Sequence, residues 1–119
     1  MNYRVYIEPP ALADVDAIYL WLRKTSLRSA DAWLDGMGDA MDAIAKMPSS
    51  YAIAPEAAAF SLDIREMHYG KRPHVYRAFF VVRKHKIHIL HVRHAAQQPL
   101  SRGQLQELQL MPLSKRQKR

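Results

Sequence analysis

The sequence predicts a single α+β domain in which a helical hairpin packs on one face of a small, mainly antiparallel sheet. Two segments in the first half repeat apolar residues every three or four positions, the spacing of amphipathic helices. Segments rich in β-branched and aromatic residues open the chain and fill the second half, which indicates strands. The predicted order is β-α-α-β-β-β, with one domain at residues 1–111 and a basic disordered tail at residues 112–119.

The chain opens with a strand that leads directly into the first helix. Apolar residues alternate along residues 2–7, so one face of this strand is predicted to be buried. A helix can begin near Pro10, because a proline in the first helical turn gives up no hydrogen bond. We expect this helix to end around residues 25–27. Its apolar stripe contains Leu12, Val15, Ile18, Tyr19 and Leu22.

The second helix is predicted from a capping residue and a second apolar stripe. Ser29 is a good N-cap, and Pro48 prevents much continuation of the helix. Trp21 and Trp33 are expected to fill the core rather than to bind a cofactor. The stripe contains Trp33, Met37, Met41 and Ile44.

Three further strands are predicted after a loop at residues 49–61, in which a turn of helix near Glu56 is possible. They lie at residues 62–69, 75–83 and 87–92, and we expect them to pair as an antiparallel meander. The apolar positions change parity within the first of them, which predicts a bulge or twist near Glu66. A weak C-terminal helix follows Ser101.

Positive charge is concentrated in the predicted sheet. Residues 1–59 hold 5 Lys or Arg against 8 Asp or Glu, whereas residues 60–119 hold 13 against 3 and all 6 His. The second half therefore carries a net charge of +10, because 13 − 3 = 10, which favours an anionic partner such as nucleic acid or an acidic protein segment. A solubilising surface with a basic tail is the plainer alternative.

Three arginines are predicted to meet on the sheet face that the helices leave open. Alternation along the strands places Arg65, Arg77 and Arg93 there, and His91 shares the parity of Arg93. Guanidinium groups bind phosphate or carboxylate through two parallel hydrogen bonds, so the cluster predicts an anion surface. The alternative is internal pairing with Asp63, Glu66 or a helix carboxylate. The turn between the first two strands of the meander adds Lys71 and Arg72.

Several other classes of function are disfavoured. The histidines at positions 88, 91 and 94 are spaced by three, which on a strand points neighbours to opposite faces, so a metal site is not expected. His94 suits general acid–base work or a hydrogen bond at a strand end. There is no cysteine and no glycine-rich nucleotide fingerprint, so no cofactor is implied. Without a long apolar run or a secretory leader, we expect a cytoplasmic protein.

Five segments resemble the RelE/ParE toxin superfamily, and the similarity runs from Tyr3 to Leu100. They read "PPALADVDAIYLWL", "PE" at Pro55, "IREMHYGKR", "YRAFFVV" and "ILHVRHAAQQPL". Their order and spacing agree with the predicted elements. The resemblance implies the toxin of a type II toxin–antitoxin (plasmid stabilisation) system, held inactive in a hetero-oligomer by an antitoxin that folds onto its basic surface.

The resemblance implies one of two activities. A ribosome-dependent mRNA endoribonuclease of the RelE/YoeB type would use Arg77 on the phosphate and Glu56 with His94 as acid and base. A gyrase inhibitor of the ParE type would use no catalytic residue. The second-strand lysines and C-terminal tyrosine of the nucleases are missing, and the "HVRH" ending resembles ParE, so gyrase is favoured over ribosome-bound mRNA. A non-toxic nucleic-acid-binding module is a third possibility.

Overall fold

The structure, a computed structural model, describes residues 2–59 and 62–96. Three short 3-10 turns, Ile44–Lys46, Pro48–Ser50 and Pro55–Ala59, lie between the second helix and the second strand. The predicted element order is confirmed, whereas the predicted helix after Ser101 and the tail at 112–119 lie outside the described residues. The main elements are β1 (Arg4–Ile7), α1 (Pro9–Arg23), α2 (Leu27–Ala43), β2 (Arg65–Lys71), β3 (His74–Arg83) and β4 (Lys86–His94).

The second helix begins one turn earlier than predicted. Ser26 is its N-cap, and its hydroxyl oxygen accepts a hydrogen bond from the backbone N–H of Ser29 at 3.1 Å. The prediction of Ser29 as the N-cap is therefore wrong. Ser29 lies in the first turn and supplies one of the N–H groups that an N-cap satisfies.

The four strands form one mixed sheet in the order β1-β4-β3-β2. β1 pairs with β4 in parallel, while β2, β3 and β4 form an antiparallel meander. Parallel neighbours need a long connection, and here the helical hairpin and the meander lie between β1 and β4 in sequence. The predicted helical hairpin on a mainly antiparallel sheet is thus the observed fold.

The hairpin covers one face of the sheet and forms the larger core. The predicted stripe of α2 is confirmed, since Met37, Met41 and Ile44 are at most 1% exposed. Trp33 packs edge-on against Tyr76 of β3, with ring centroids 5.3 Å apart. Trp21, by contrast, is 60% exposed, so its prediction as core filler is wrong. It lies beside the apolar stripe of α1 and not within it.

The other face of the sheet is also partly covered, contrary to the prediction. The connection before β2 lies across it, held by hydrogen bonds from Ala54 N to Ile64 O (2.8 Å) and from Glu66 N to Ala52 O (2.9 Å). Small alanine side chains let this segment approach the strands closely. The resulting second core contains Ala54, Ala57, Ile64, Phe79, Val81 and Leu90.

The irregularity predicted near Glu66 lies instead in β4. The β2–β3 ladder runs without a break, whereas Phe79 faces His91 and Phe80 faces Ile89, which leaves Leu90 as the extra residue. The parity change before β2 needs no bulge, because both faces of the sheet bury apolar side chains. Ile64 belongs to the second core and Met67 to the first.

Gly70 is required where β2 approaches the turn into β3. Its φ is +106°, and a β-carbon at this position would lie 2.3 Å from the carbonyl oxygen of His74. Gly70→Ala is expected to lower the free energy of unfolding by about 2 kcal/mol, because strained backbone and a steric clash add together. The urea midpoint of unfolding measures this loss.

Gly38→Ala is the matched control, because Gly38 lies inside α2. Alanine in a helix interior should leave stability unchanged or raise it by up to about 1 kcal/mol. Equal losses in the two variants would contradict the special role of Gly70.

Candidate functional site

Arg77 on β3 is the centre of an ion cluster on the sheet face away from the helices. Its Nε donates to Glu66 Oε1 at 2.7 Å. Its two terminal nitrogens donate to the two carboxylate oxygens of Glu56, at 3.0 and 2.8 Å. Three nitrogens of one guanidinium are thereby engaged with two carboxylates.

The cluster follows from local structure on three elements. Glu66 lies on β2 opposite Phe79, one position from Arg77, and so reaches the guanidinium, while His68, opposite Arg77, contacts Glu66 Oε1 through its Nε2 at 3.0 Å. Glu56 comes from the 3-10 turn Pro55–Ala59, which lies over this part of the sheet. Phe79 supports the group from below, with Arg77 Cζ 4.5 Å from its ring centroid.

The charges of the cluster are largely removed from water. The side chains of Arg77, Glu56 and Glu66 are 14%, 6% and 11% exposed. Burial alone would lower the pKa of Arg77, but the hydrogen bonds from Glu56 and Glu66 outweigh it, so the pKa lies above its usual value. Arg77 is therefore a permanent cation whose charge is balanced inside the protein.

The prediction that the guanidinium of Arg77 is free to bind an anion is therefore wrong. The structure contains the alternative, internal pairing, with Glu56 and Glu66 as the partners. The cluster borders an open cavity of about 500 Å³. With two carboxylates at its wall, this cavity does not attract a phosphate as it stands. Its lining residues are Pro55, Glu56, Glu66, His68, Arg77 and Ala95.

Arg93 joins Arg77 as predicted, whereas Arg65 does not. Arg93 is the direct ladder partner of Arg77, is half-buried, and its Nε has no hydrogen-bond partner among residues 2–59 and 62–96. Arg65 faces Phe80, on the helix side of the sheet. It donates to the backbone oxygen of Tyr51 at 2.6 Å, so it fixes the connection before β2. Its predicted place on the far face is wrong, because the connection covers that face and shifts the apolar parity.

His91 is bound to the first helix. Its Nδ1 lies 2.5 Å from Asp14 Oδ2, which also accepts a hydrogen bond from the backbone N–H of Val92 at 2.9 Å. β1 pairs with β4 only as far as Ile89, so Asp14 satisfies a backbone group on β4 beyond the end of β1. Asp14 was not predicted from the sequence, and its only signal is its position off the apolar stripe of α1.

His94 lies on the helix side of the sheet. It faces Tyr76, and their ring centroids are 5.1 Å apart. Its Nδ1 accepts a hydrogen bond from Ala96 N at 3.0 Å. His94 does not line the cavity beside Glu56 and Arg77, so the acid–base pair of Glu56 with His94 is not assembled.

Lys71, the last residue of β2, and Arg72, in the turn that follows it, are both exposed. Within the described residues neither side chain makes an ion pair. Among the predicted anion-binding residues, these two are exposed to a partner, while Arg93 is half-buried.

Neither a membrane-spanning helix nor a metal-binding cluster occurs in the described part of the chain. None of its helices has both the length and the apolar character needed to span a bilayer. None of its His, Asp and Glu side chains gather in groups of three that suit a metal ion.

The chain is similar in sequence to a family of toxins, and in fold to a chain of a solved ParDE system. The family model described as ParE toxin of type II toxin-antitoxin system, parDE, matches residues 5–99. A chain of the solved structure titled "Chromosomal ParDE TA system from P. aeruginosa" superimposes with a TM-score of 0.60 at 19% identity. The match covers 77% of this chain and 95% of that chain. No curated protein sequence matches at a significant level.

Proposed function

The chain belongs to the ParE toxin family of type II toxin–antitoxin systems, and from that membership we propose that it arrests growth by inhibiting DNA gyrase. Membership of the family implies an antitoxin partner. Within this proposal, gyrase is the target, the toxin acts in the cytoplasm, and its exposed cations form the surface that binds its partners.

The internal balance of Arg77 is the observation that favours gyrase over mRNA. A nuclease would need this guanidinium to stabilise negative charge that develops on a phosphate. Here Glu56 and Glu66 already engage it, and His94 lies on the other side of the sheet. Freeing Arg77 for a phosphate would leave two buried carboxylates without their cation. The proposed toxin therefore works by binding and not by RNA cleavage.

The exposed cations are proposed to meet the antitoxin or gyrase. Lys71 and Arg72 are exposed where β2 turns into β3, and Arg93 is half-buried with an Nε–H that has no acceptor within the described residues. An acidic antitoxin segment complements the net charge of +10 in residues 60–119. Arg65, Arg77 and His91 are assigned supporting roles, since each is held by groups of the protein itself.

Expression in bacteria without the antitoxin tests the proposal. We expect growth arrest with double-strand breaks and a DNA-damage response, because a blocked gyrase leaves cleaved DNA behind. Ribosome-bound mRNA should stay intact when its ends are mapped. Cleavage of mRNA within codons at ribosomes, without DNA breaks, would transfer the chain to the nuclease alternative. Normal growth would favour the non-toxic binding module.

His94→Gln is the matched variant for this experiment. The gyrase proposal predicts the same growth arrest as for the natural sequence, because His94 packs against Tyr76 on the helix side of the sheet and does not line the cavity beside Arg77. A nuclease that uses His94 as its acid or base should lose roughly 100-fold or more in cleavage. Thermal unfolding of the purified variant verifies that it is folded.

A further inference from the structure

Four cations gather at one end of the sheet, three on neighbouring strands and one in a turn, and we call them the basic tip: Arg4, Arg83, Lys84 and Lys86. Arg83 and Lys86 face each other across the two-residue turn of the β3–β4 hairpin. Arg4 of β1 is the ladder partner of Lys86 on its other side, and its backbone N–H donates to His85 O at 2.9 Å. Ladder partners share a face, so Arg4, Lys86 and Arg83 form a row across β1, β4 and β3 that spans about 10 Å.

The charge of the basic tip is not balanced within the described residues. Arg4, Arg83 and Lys84 are exposed, Lys86 is half-buried, and all described ion pairs involve Arg77 or a histidine. Like charges that face each other across a ladder disfavour folding. The tip therefore presents cations at some cost in stability.

The backbone conformation of Lys84 is a second, independent feature of the tip that lowers the stability of the fold. Its φ is +56°, in the left-handed region that glycine and asparagine occupy most easily. A lysine at the first position of this turn keeps a positive charge where glycine would give a more stable hairpin. Strained positions of this kind are found at sites that bind partners.

We propose that the basic tip binds the phosphate backbone of duplex DNA without regard to sequence. This rests on the proposed function, because gyrase holds duplex DNA and a toxin acting there meets DNA as well as protein. Three of the four cations of the tip are exposed and the fourth is half-buried, a row of positive charge that suits phosphates. An acidic protein segment would instead need an apolar anchor at the centre of its interface.

Binding of a labelled 20-base-pair duplex to the full-length toxin, measured by fluorescence anisotropy at several salt concentrations, tests the proposal. Four phosphate contacts should contribute roughly −3.6 to the slope of log affinity against log salt. The triple variant Arg83→Gln, Lys84→Gln, Lys86→Gln should make the slope shallower by about 3. An unchanged slope overturns the proposal, as does the absence of salt-dependent binding by the natural sequence.

The variant Lys24→Gln, Arg28→Gln, Lys46→Gln is the matched control. It removes the same net charge from exposed positions on and after the helices. It should bind the duplex with the natural slope. A loss equal to that of the tip variant assigns the binding to overall charge and overturns the proposal. Displacement of the duplex by an equal concentration of poly-glutamate also overturns it, in favour of an acidic protein.

Lys84→Gly separates binding from stability. It should raise the Tm by roughly 4 °C, because it relieves the left-handed strain. It should weaken duplex binding at 0.1 M salt by roughly five- to tenfold, because it removes one phosphate contact. A higher Tm with unchanged affinity would overturn the role of Lys84. If the toxin inhibits gyrase but does not bind DNA, the DNA-binding inference is contradicted and the proposed function is not.

Discussion

Arg77→Ala is expected to lower the free energy of unfolding by about 3 to 5 kcal/mol, the range for removing one partner of a buried ion cluster. The change leaves Glu56 and Glu66, 6% and 11% exposed, without the cation that both contact. It also removes the group that packs on the ring of Phe79. Denaturant unfolding followed by circular dichroism measures the loss.

Two comparison variants separate charge from shape. Arg77→Lys keeps a cation but cannot bind both oxygens of Glu56 in parallel, so it should lose roughly half as much stability as the alanine variant. The variant Arg77→Met, Glu56→Gln, Glu66→Gln removes all three charges and should be more stable than Arg77→Ala. An Arg77→Ala loss below about 1 kcal/mol would show that the cluster is solvated, as surface ion pairs are.

Glu8→Ala is expected to cost about 3 kcal/mol, from an unpaired polar group and a cavity together. Glu8 and His88 are 2% and 3% exposed, and Glu8 Oε2 lies 2.9 Å from His88 Nδ1. The His88 ring stacks on Tyr6 at 5.5 Å between centroids, which fixes its orientation. Because Glu8 directly precedes α1 and His88 lies on β4, the pair connects the start of the helix to this strand.

A double-mutant cycle of Glu8→Ala with His88→Ala measures the interaction itself. A coupling free energy of about 1 to 3 kcal/mol is expected for two groups in direct contact in the core. Glu8→Gln is the conservative control and should lose roughly 1 kcal/mol, since an amide still reaches His88. Additive effects of the two alanine changes would mean that the contact contributes nothing.

Element order and the helix-side core could be predicted because they depend on local periodicity. Met37, Met41 and Ile44 repeat at helical spacing, and each is buried against the sheet. Alternation along β3 also placed Arg77 correctly on the face away from the helices. What alternation does not tell is whether that second face is covered. The alanines of residues 52–59 cover part of it, although their composition is typical of a loop.

The contacts that decide the site join residues far apart in sequence. Glu56 is 21 residues before Arg77, and Asp14 is 77 residues before His91, so neither pairing leaves a local pattern. The position of Arg65 was mispredicted because the covering of the second face was missed, and a parity prediction fails wherever a covered face changes which side chains point inward. Such pairings follow from the topology and not from spacing.

Supercoiling of relaxed plasmid by purified gyrase, titrated with the purified toxin in the absence of ribosomes, tests the central claim most directly. An excess of toxin is predicted to stop supercoiling and to leave linear, cleaved plasmid after protein removal, and added antitoxin should restore supercoiling. Full supercoiling at excess toxin, together with cleavage of mRNA once ribosomes are added, would contradict the account.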